Sequence, residues 1–142
     1  MPRLYREAPL ASIWEGSGNV AALDALRAVT RQPETAEAFF TEVGLAAGAD
    51  RRLDQAAARL SKELADPSEA RARHLAEAMA VVLQGALLVR YGDRAVADAF
   101  AASRLGDEGA SFPGWGRAFG TLPSGVDAEA IVSRATPAVP AG

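Results

Sequence analysis

Apolar residues recur at intervals of three and four along most of this chain, and that spacing constrains the fold more than any other feature. The clearest sets are Val20, Leu23, Leu26 and Val29, and Leu53, Ala57, Leu60 and Leu64. Such intervals place apolar side chains on one face of an α-helix. The alternation typical of strands is nearly absent. The chain is therefore predicted to be all-α, with five or six helices.

Capping and breaking residues predict where these helices begin and end. Ser17 or Asn19 can cap the first, and Gln32-Pro33 marks its end or the start of the next. Asp66 is predicted to cap a long helix, with Pro67 at its first position and Glu69 at its third. The remaining predicted helices cover 34–43, 50–64, the stretch after 66 to about 91, 93 to just before 106, and 127–134, with 106–125 irregular.

Length, charge and cysteine content limit the classes of protein that the chain can belong to. At 142 residues it is long enough for one core, and much of its 49% hydrophobic content is alanine, which predicts a thin core. Without cysteines it forms no disulfide and no thiolate metal site, and the single histidine, His74, makes a metal site improbable. The net charge of -3 gives no general attraction for phosphate backbones. We see no secretory signal or membrane-spanning apolar run, and we expect a soluble, cytoplasmic protein.

The segment 6–20, REAPLASIWEGSGNV, carries the candidate chemistry. It places the Glu15 carboxylate between the aromatic ring of Trp14 and Gly16. An apolar wall beside a carboxylate raises its pKa toward the range of a general base. A glutamate before a helix is otherwise most often a solvated charge, so local chemistry alone does not assign a function.

The same segment closely resembles the end of acyl-CoA dehydrogenases, in which an Arg-Asp-Ala stretch leads without a gap to Ile-Tyr-Glu-Gly-Thr. The resemblance implies that Glu15 is the catalytic base, which removes the α-proton of an acyl-CoA thioester while a hydride leaves for FAD. It implies that Gly16, Ser17 and Asn19 contact the cofactor and that Trp14 lies at the substrate. Ser17 and Asn19 are also good helix caps, with or without flavin.

Beyond residue 31 the chain continues further than ordinary members of that family, and it resembles the AidB branch, which is linked to DNA alkylation damage. Its segments 50–54, 96–100 and 119–123 are similar to parts of the added helical domain of that branch. We therefore expect the end of the dehydrogenase bundle at 1–31, a helical extension at 32–136 and a disordered tail at 137–142. The resemblance implies a homo-oligomer, a tetramer in the family. Because the family's other domains have no counterpart here, we expect a fragment that neither holds FAD nor turns over substrate alone.

Two other functions stay open at this point. The chain can be a module for DNA binding or oligomerisation, because Arg52, Arg59 and Lys62 form a basic stripe on one predicted helix, and Arg51 is a further candidate contact. Nearby acidic residues nearly cancel that charge, so a solvated helix face is the simpler interpretation and duplex DNA would bind weakly. The chain can also be a nonfunctional truncation product, which would expose the apolar face of the helix at Val20–Val29.

Overall fold

The computed structural model describes residues 2–12, 18–106 and 123–137 as an all-α protein. Its α-helices are α1 (Pro2–Glu7), α2 (Gly18–Arg31), α3 (Pro33–Gly44), α4 (Arg51–Ala65), α5 (Ala72–Tyr91), α6 (Arg94–Phe100) and α7 (Ala128–Ala135). Short 3-10 helices cover Ala8–Ser12 and Glu69–Arg71, and a π-helical turn covers Ala101–Leu105. The predicted fold class is confirmed, and the described ranges hold one more α-helix than the six expected. The extra helix is α1, in a stretch expected to be loop.

Aspartates cap the N-termini of three of the helices. The Asp50 carboxylate accepts hydrogen bonds from the amides of Arg52 and Leu53 at the start of α4. Asp93 does the same for the first turn of α6, and Asp127 accepts from the amide of Ala130 in α7. Each cap satisfies amides that the helix itself leaves without a partner.

The predicted start of the longest helix is wrong. Asp66 ends α4 instead of beginning α5, and α5 starts only at Ala72, after the 3-10 turn Glu69–Arg71. The residue before a proline is pushed away from helical geometry, and Asp66 has φ -133° and ψ 73°. Proline at 67 therefore stops α4 and does not open α5.

Helix α5 lies at the centre of the fold, with α2, α3, α4 and α6 packed around it. The main core cluster consists of Val43, Ala46, Leu53, Ala56, Leu60, Ala78, Val82, Ala86, Ala101 and Leu105. More than half of the buried apolar residues in the described ranges are alanines. The helices approach closely as a result, and each contact buries little apolar area, as the composition indicates.

A close approach occurs at Gly85, where α5 meets the π-helical turn. A β-carbon at this position would lie 2.9 Å from Leu105 Cδ1 and 3.4 Å from Leu53 Cδ1. The turn itself closes with a bond from the Gly106 amide to the Ala101 carbonyl. Absence of a side chain at residue 85 thus lets the turn pack directly on α5.

The segment Glu69–Tyr91 is long and apolar enough, by length and composition alone, to cross a membrane. The sequence analysis predicted no membrane-spanning apolar stretch, so this candidate differs from the prediction. The membrane indication is weak because the core helix of a globular protein passes the same test. Leu75, Ala78, Val82 and Ala86 are at most 1% exposed, among α2, α3 and α4, and 33% of the apolar window is buried.

Candidate functional site

The predicted catalytic loop lies between two described elements. Trp14, Glu15, Gly16 and Ser17 all fall outside the described residues, so their predicted roles stay predictions. The 3-10 helix Ala8–Ser12 precedes the loop, and α2 begins directly after it at Gly18. The structure therefore describes the start of α2, which directly follows the predicted cofactor contacts Gly16 and Ser17.

Asn19, the last of the predicted cofactor contacts, lies in the first turn of α2 and is exposed. As the second residue of the helix it does not occupy the capping position. Its Oδ1 accepts a hydrogen bond from Arg73 Nη1 at 3.3 Å. Arg73 comes from α5, 54 residues later in the chain. One residue of the predicted site is thus in contact with α5.

Packing between α2 and α5 explains why these two distant residues meet. Ala22 and Leu26 of α2 form a second buried cluster with Ala72 and Leu75 of α5. Because Ala72 and Leu75 bracket position 73, the backbone that carries Arg73 is fixed against α2. Val20 does not join this cluster and is 48% exposed, contrary to its predicted place on the apolar face.

A cluster of charged side chains lies close in sequence to Arg73. One oxygen of Glu63, Oε2, accepts from Arg71 Nη2 at 2.7 Å and lies 2.8 Å from His74 Nε2. The Glu63 side chain is 19% exposed, so these contacts hold the end of α4 against the start of α5. Across the described ranges, no group of three or more histidine or carboxylate side chains is placed to hold a metal ion.

The four basic residues of the predicted DNA-binding stripe occupy different environments on α4. Arg51 and Lys62 are exposed, whereas Arg52 and Arg59 are half-buried. Arg52 Nη2 donates to Asp50 Oδ2 and to Asp98 Oδ1, each at 2.6 Å. Arg52 therefore joins α4 to α6, and that role competes with any contact to a phosphate.

Electrostatics agree with a structural role for Arg52. The hydrogen bond from its guanidinium lowers the pKa of the Asp50 carboxyl, with backbone amides adding to the effect against a desolvation cost. The same carboxylate, opposed by desolvation and helped by Asp98, raises the pKa of Arg52 above its ordinary value. Both partners are stabilised in their charged forms.

An open cleft of about 950 Å³ lies beside this ion pair, between the starts of α4, α6 and α7. Four carboxylates line it: Asp50, Asp93, Asp98 and Asp127. Three of them cap helices, and Asp98 pairs with Arg52. The acidic lining is thus explained by folding.

Sequence reasoning missed Arg73 and Glu63 because neither belongs to a recognisable motif. Arg73 follows another arginine by two residues and reads as part of a solvated charge run. Only the packing of α2 on α5 shows that it contacts Asn19 at the start of α2. No local signal in the sequence could have shown it.

Comparison with known proteins agrees with the resemblance carried by segment 6–20. The chain is 35% identical over 109 residues to a protein of Escherichia coli (strain K12) named "Putative acyl-CoA dehydrogenase AidB". The chain is an AidB-like relative within the acyl-CoA dehydrogenase family. The match covers 77% of this chain and spans one fifth of the length of that AidB protein. No family model matches the chain.

Proposed function

We propose that this AidB-like chain is the carboxy-terminal part of an FAD-dependent acyl-CoA dehydrogenase and that Glu15 is its catalytic base. The observation that carries the proposal is the 35% identity over 109 residues to an AidB protein. The Trp14-Glu15-Gly16 sequence supports it, because it resembles the family's catalytic segment. Since the chain spans one fifth of that relative, the activity belongs to a longer protein.

The chemistry assigned to this loop is removal of a proton from the carbon next to a thioester. In this proposal Glu15 accepts that proton on its carboxylate and acts as the general base. Its own backbone amide is available to donate to the thioester oxygen as negative charge develops there. Bound FAD supplies the hydride acceptor. The proposal assigns to Trp14, next to Glu15 in the sequence, the apolar surface that keeps water from the carboxylate.

The surroundings of Asn19, in the first turn of α2, are compatible with a contact to the cofactor. Its side chain is exposed, and its oxygen is already occupied by Arg73. The remaining NH₂ group is a donor, and the carbonyl oxygens of the flavin and the phosphate oxygens of FAD are acceptors. Gly16 and Ser17 complete the proposed contacts, and the absence of a side chain at Gly16 lets the backbone approach the cofactor.

The test uses the full-length protein loaded with FAD and mixed anaerobically with acyl-CoA. Bleaching of the flavin absorbance reports substrate oxidation directly. Glu15→Gln is expected to slow bleaching by about 10²- to 10⁴-fold, the usual contribution of a general base, without loss of bound FAD. Glu7→Gln is the matched control, since Glu7 is paired with Arg3 in α1 and exposed. Bleaching at the wild-type rate in Glu15→Gln would exclude the assignment.

The isolated chain provides a second arm of the same experiment. We expect the purified 142-residue chain to show no flavin spectrum and no acyl-CoA oxidation, because the rest of the proposed site is contributed by other domains. We further propose that the full-length protein is a homo-oligomer in the cytoplasm. Size-exclusion chromatography with light scattering checks the assembly, and a monomer would contradict it.

DNA binding by α4 is a second candidate because Arg51 and Lys62 are exposed on one side of the helix. With Arg52 held by carboxylates, few cations remain to contact phosphates, so we expect weak binding of duplex DNA that is lost at physiological salt. Fluorescence anisotropy with a labelled duplex between 50 and 200 mM salt tests this, with Lys62→Ala as the variant. Binding that survives at the higher salt would favour the DNA-binding function.

A further inference from the structure

The contact between Arg73 and Asn19 connects α5 to the first turn of α2, which directly follows the proposed cofactor loop. Both side chains are exposed, but Ala72 and Leu75, buried against α2, lie on either side of Arg73, and Asn19 lies one helical turn before the buried Ala22. Arg71 and His74, its neighbours along the chain, point to Glu63 instead. Of these three residues, Arg73 is the one that hydrogen-bonds to α2 within the described ranges.

The chemistry of the pair settles which way the Asn19 amide is turned. A guanidinium has five N–H donors and no acceptor, so only the oxygen of an asparagine side chain can face it. The NH₂ group of Asn19 must then point to the other side. Arg73 thereby converts an amide that could either donate or accept into one that presents donors only.

We propose that Arg73 is a positioning residue for the cofactor: by holding Asn19 Oδ1 it presents the Asn19 NH₂ group as a donor to acceptor oxygens of FAD. This rests on the proposed function, and it adds a role for the extension. The extension supplies a residue that orients a cofactor contact on α2. Arg73 does not itself touch the cofactor in this account.

The orientation is tested first on the 142-residue chain without cofactor. Nuclear magnetic resonance relaxation of the Asn19 side-chain NH₂ group reports how firmly the amide is held. Arg73→Gln is expected to lower its order parameter, since glutamine can donate or accept and lets the amide flip. Arg73→Lys, which keeps a donor-only cation, is expected to restore it. Arg71→Gln is the matched control and is expected to leave it unchanged. An unchanged order parameter in Arg73→Gln would overturn the inference.

The effect on the cofactor is tested on the full-length protein by measuring the dissociation constant for FAD. Loss of one oriented hydrogen bond predicts a rise of about 3- to 10-fold in Arg73→Gln, with recovery in Arg73→Lys. In an Asn19→Ala background Arg73→Gln is expected to add nothing, because Arg73 acts through Asn19. Additive effects would overturn the positioning role.

The same measurements separate failure of this inference from failure of the proposed function. If Asn19→Ala leaves the FAD dissociation constant unchanged, Asn19 is not a cofactor contact and the positioning role falls with it. Flavin bleaching in Glu15→Gln would still test the dehydrogenase itself. If bleaching requires Glu15 but Arg73→Gln binds FAD normally, the function stands and only the role of Arg73 is overturned.

Discussion

Removal of the Arg52 side chain tests whether this residue is structural or part of a DNA-binding face. In Arg52→Ala, two carboxylates lose a guanidinium that lies 2.6 Å from each. Charge-assisted hydrogen bonds contribute about 1.5–3 kcal/mol each when buried. Asp50 keeps its bonds from backbone amides, and the Asp98 side chain is 48% exposed and can be rehydrated. These offsets reduce the expected loss to about 2 kcal/mol in total.

Urea unfolding of the 142-residue chain measures this loss. With a slope of about 2 kcal/mol per molar urea, the midpoint is expected to fall by about 1 M. Lys62→Ala is the matched control, because it removes an exposed positive charge from the same helix and is expected to change stability by less than about 0.5 kcal/mol. An Arg52→Ala midpoint within about 0.3 M of wild type would refute the structural role.

The pH dependence of stability provides an independent measure of the same pair. The pKa of Asp50 is lowered from 3.8, chiefly by the hydrogen bond from Arg52, so its stabilising contribution is present above pH 3.8. That contribution is lost as the pH falls through the folded-state pKa below 3.8, because the unfolded chain then binds the proton more readily. Arg52→Ala is expected to bring the pKa of Asp50 back toward 3.8. The free energy of unfolding should then decrease less steeply as the pH is lowered. A decrease in the free energy of unfolding as steep as that of the wild type would contradict this.

Two further predictions concern the core. Leu60→Ala, at a fully buried position, is expected to cost about 2–5 kcal/mol in urea unfolding, whereas Leu45→Ala, at a position 59% exposed, should cost far less; equal costs would show that α4 is not packed as described. Gly85→Val is expected to destabilise by about 1–3 kcal/mol because the new side chain meets Leu105, while Gly44→Val has open space around it and should be milder; the reverse order would exclude the close approach of the π-helical turn to α5.

Local signals predicted the helices well because they depend on residues close together in sequence. Helices α4, α6 and α7 begin within one residue of the predicted starts at 50, 93 and 127, and Pro33 opens α3 as one of its two predicted roles. The predicted start of α5 was wrong because an Asp-Pro pair can either end one helix or open the next. The capping pattern alone does not distinguish these outcomes.

The candidate site was predictable only for those residues that lie together in a single sequence segment. Glu15 and its neighbours form a recognisable motif, whereas the contribution of Arg73 depends on α2 packing against α5. The environment of Arg52 shows the same limit, since its partner Asp98 lies 46 residues away. Spacing on a helical wheel placed Arg52 on a basic face, but tertiary contacts decide whether that charge is available to a ligand.

Exchange of the α-proton of a bound acyl-CoA tests the central claim most directly, because it isolates the action of the base from hydride transfer. FAD-loaded full-length protein is incubated in deuterium oxide with an acyl-CoA analogue that cannot be oxidised, and deuterium incorporation next to the thioester is followed by mass spectrometry. If Glu15 is the base, deuterium is incorporated rapidly with wild-type protein and not above background with Glu15→Gln at equal FAD content. Incorporation at the wild-type rate in Glu15→Gln would show that another group removes the proton.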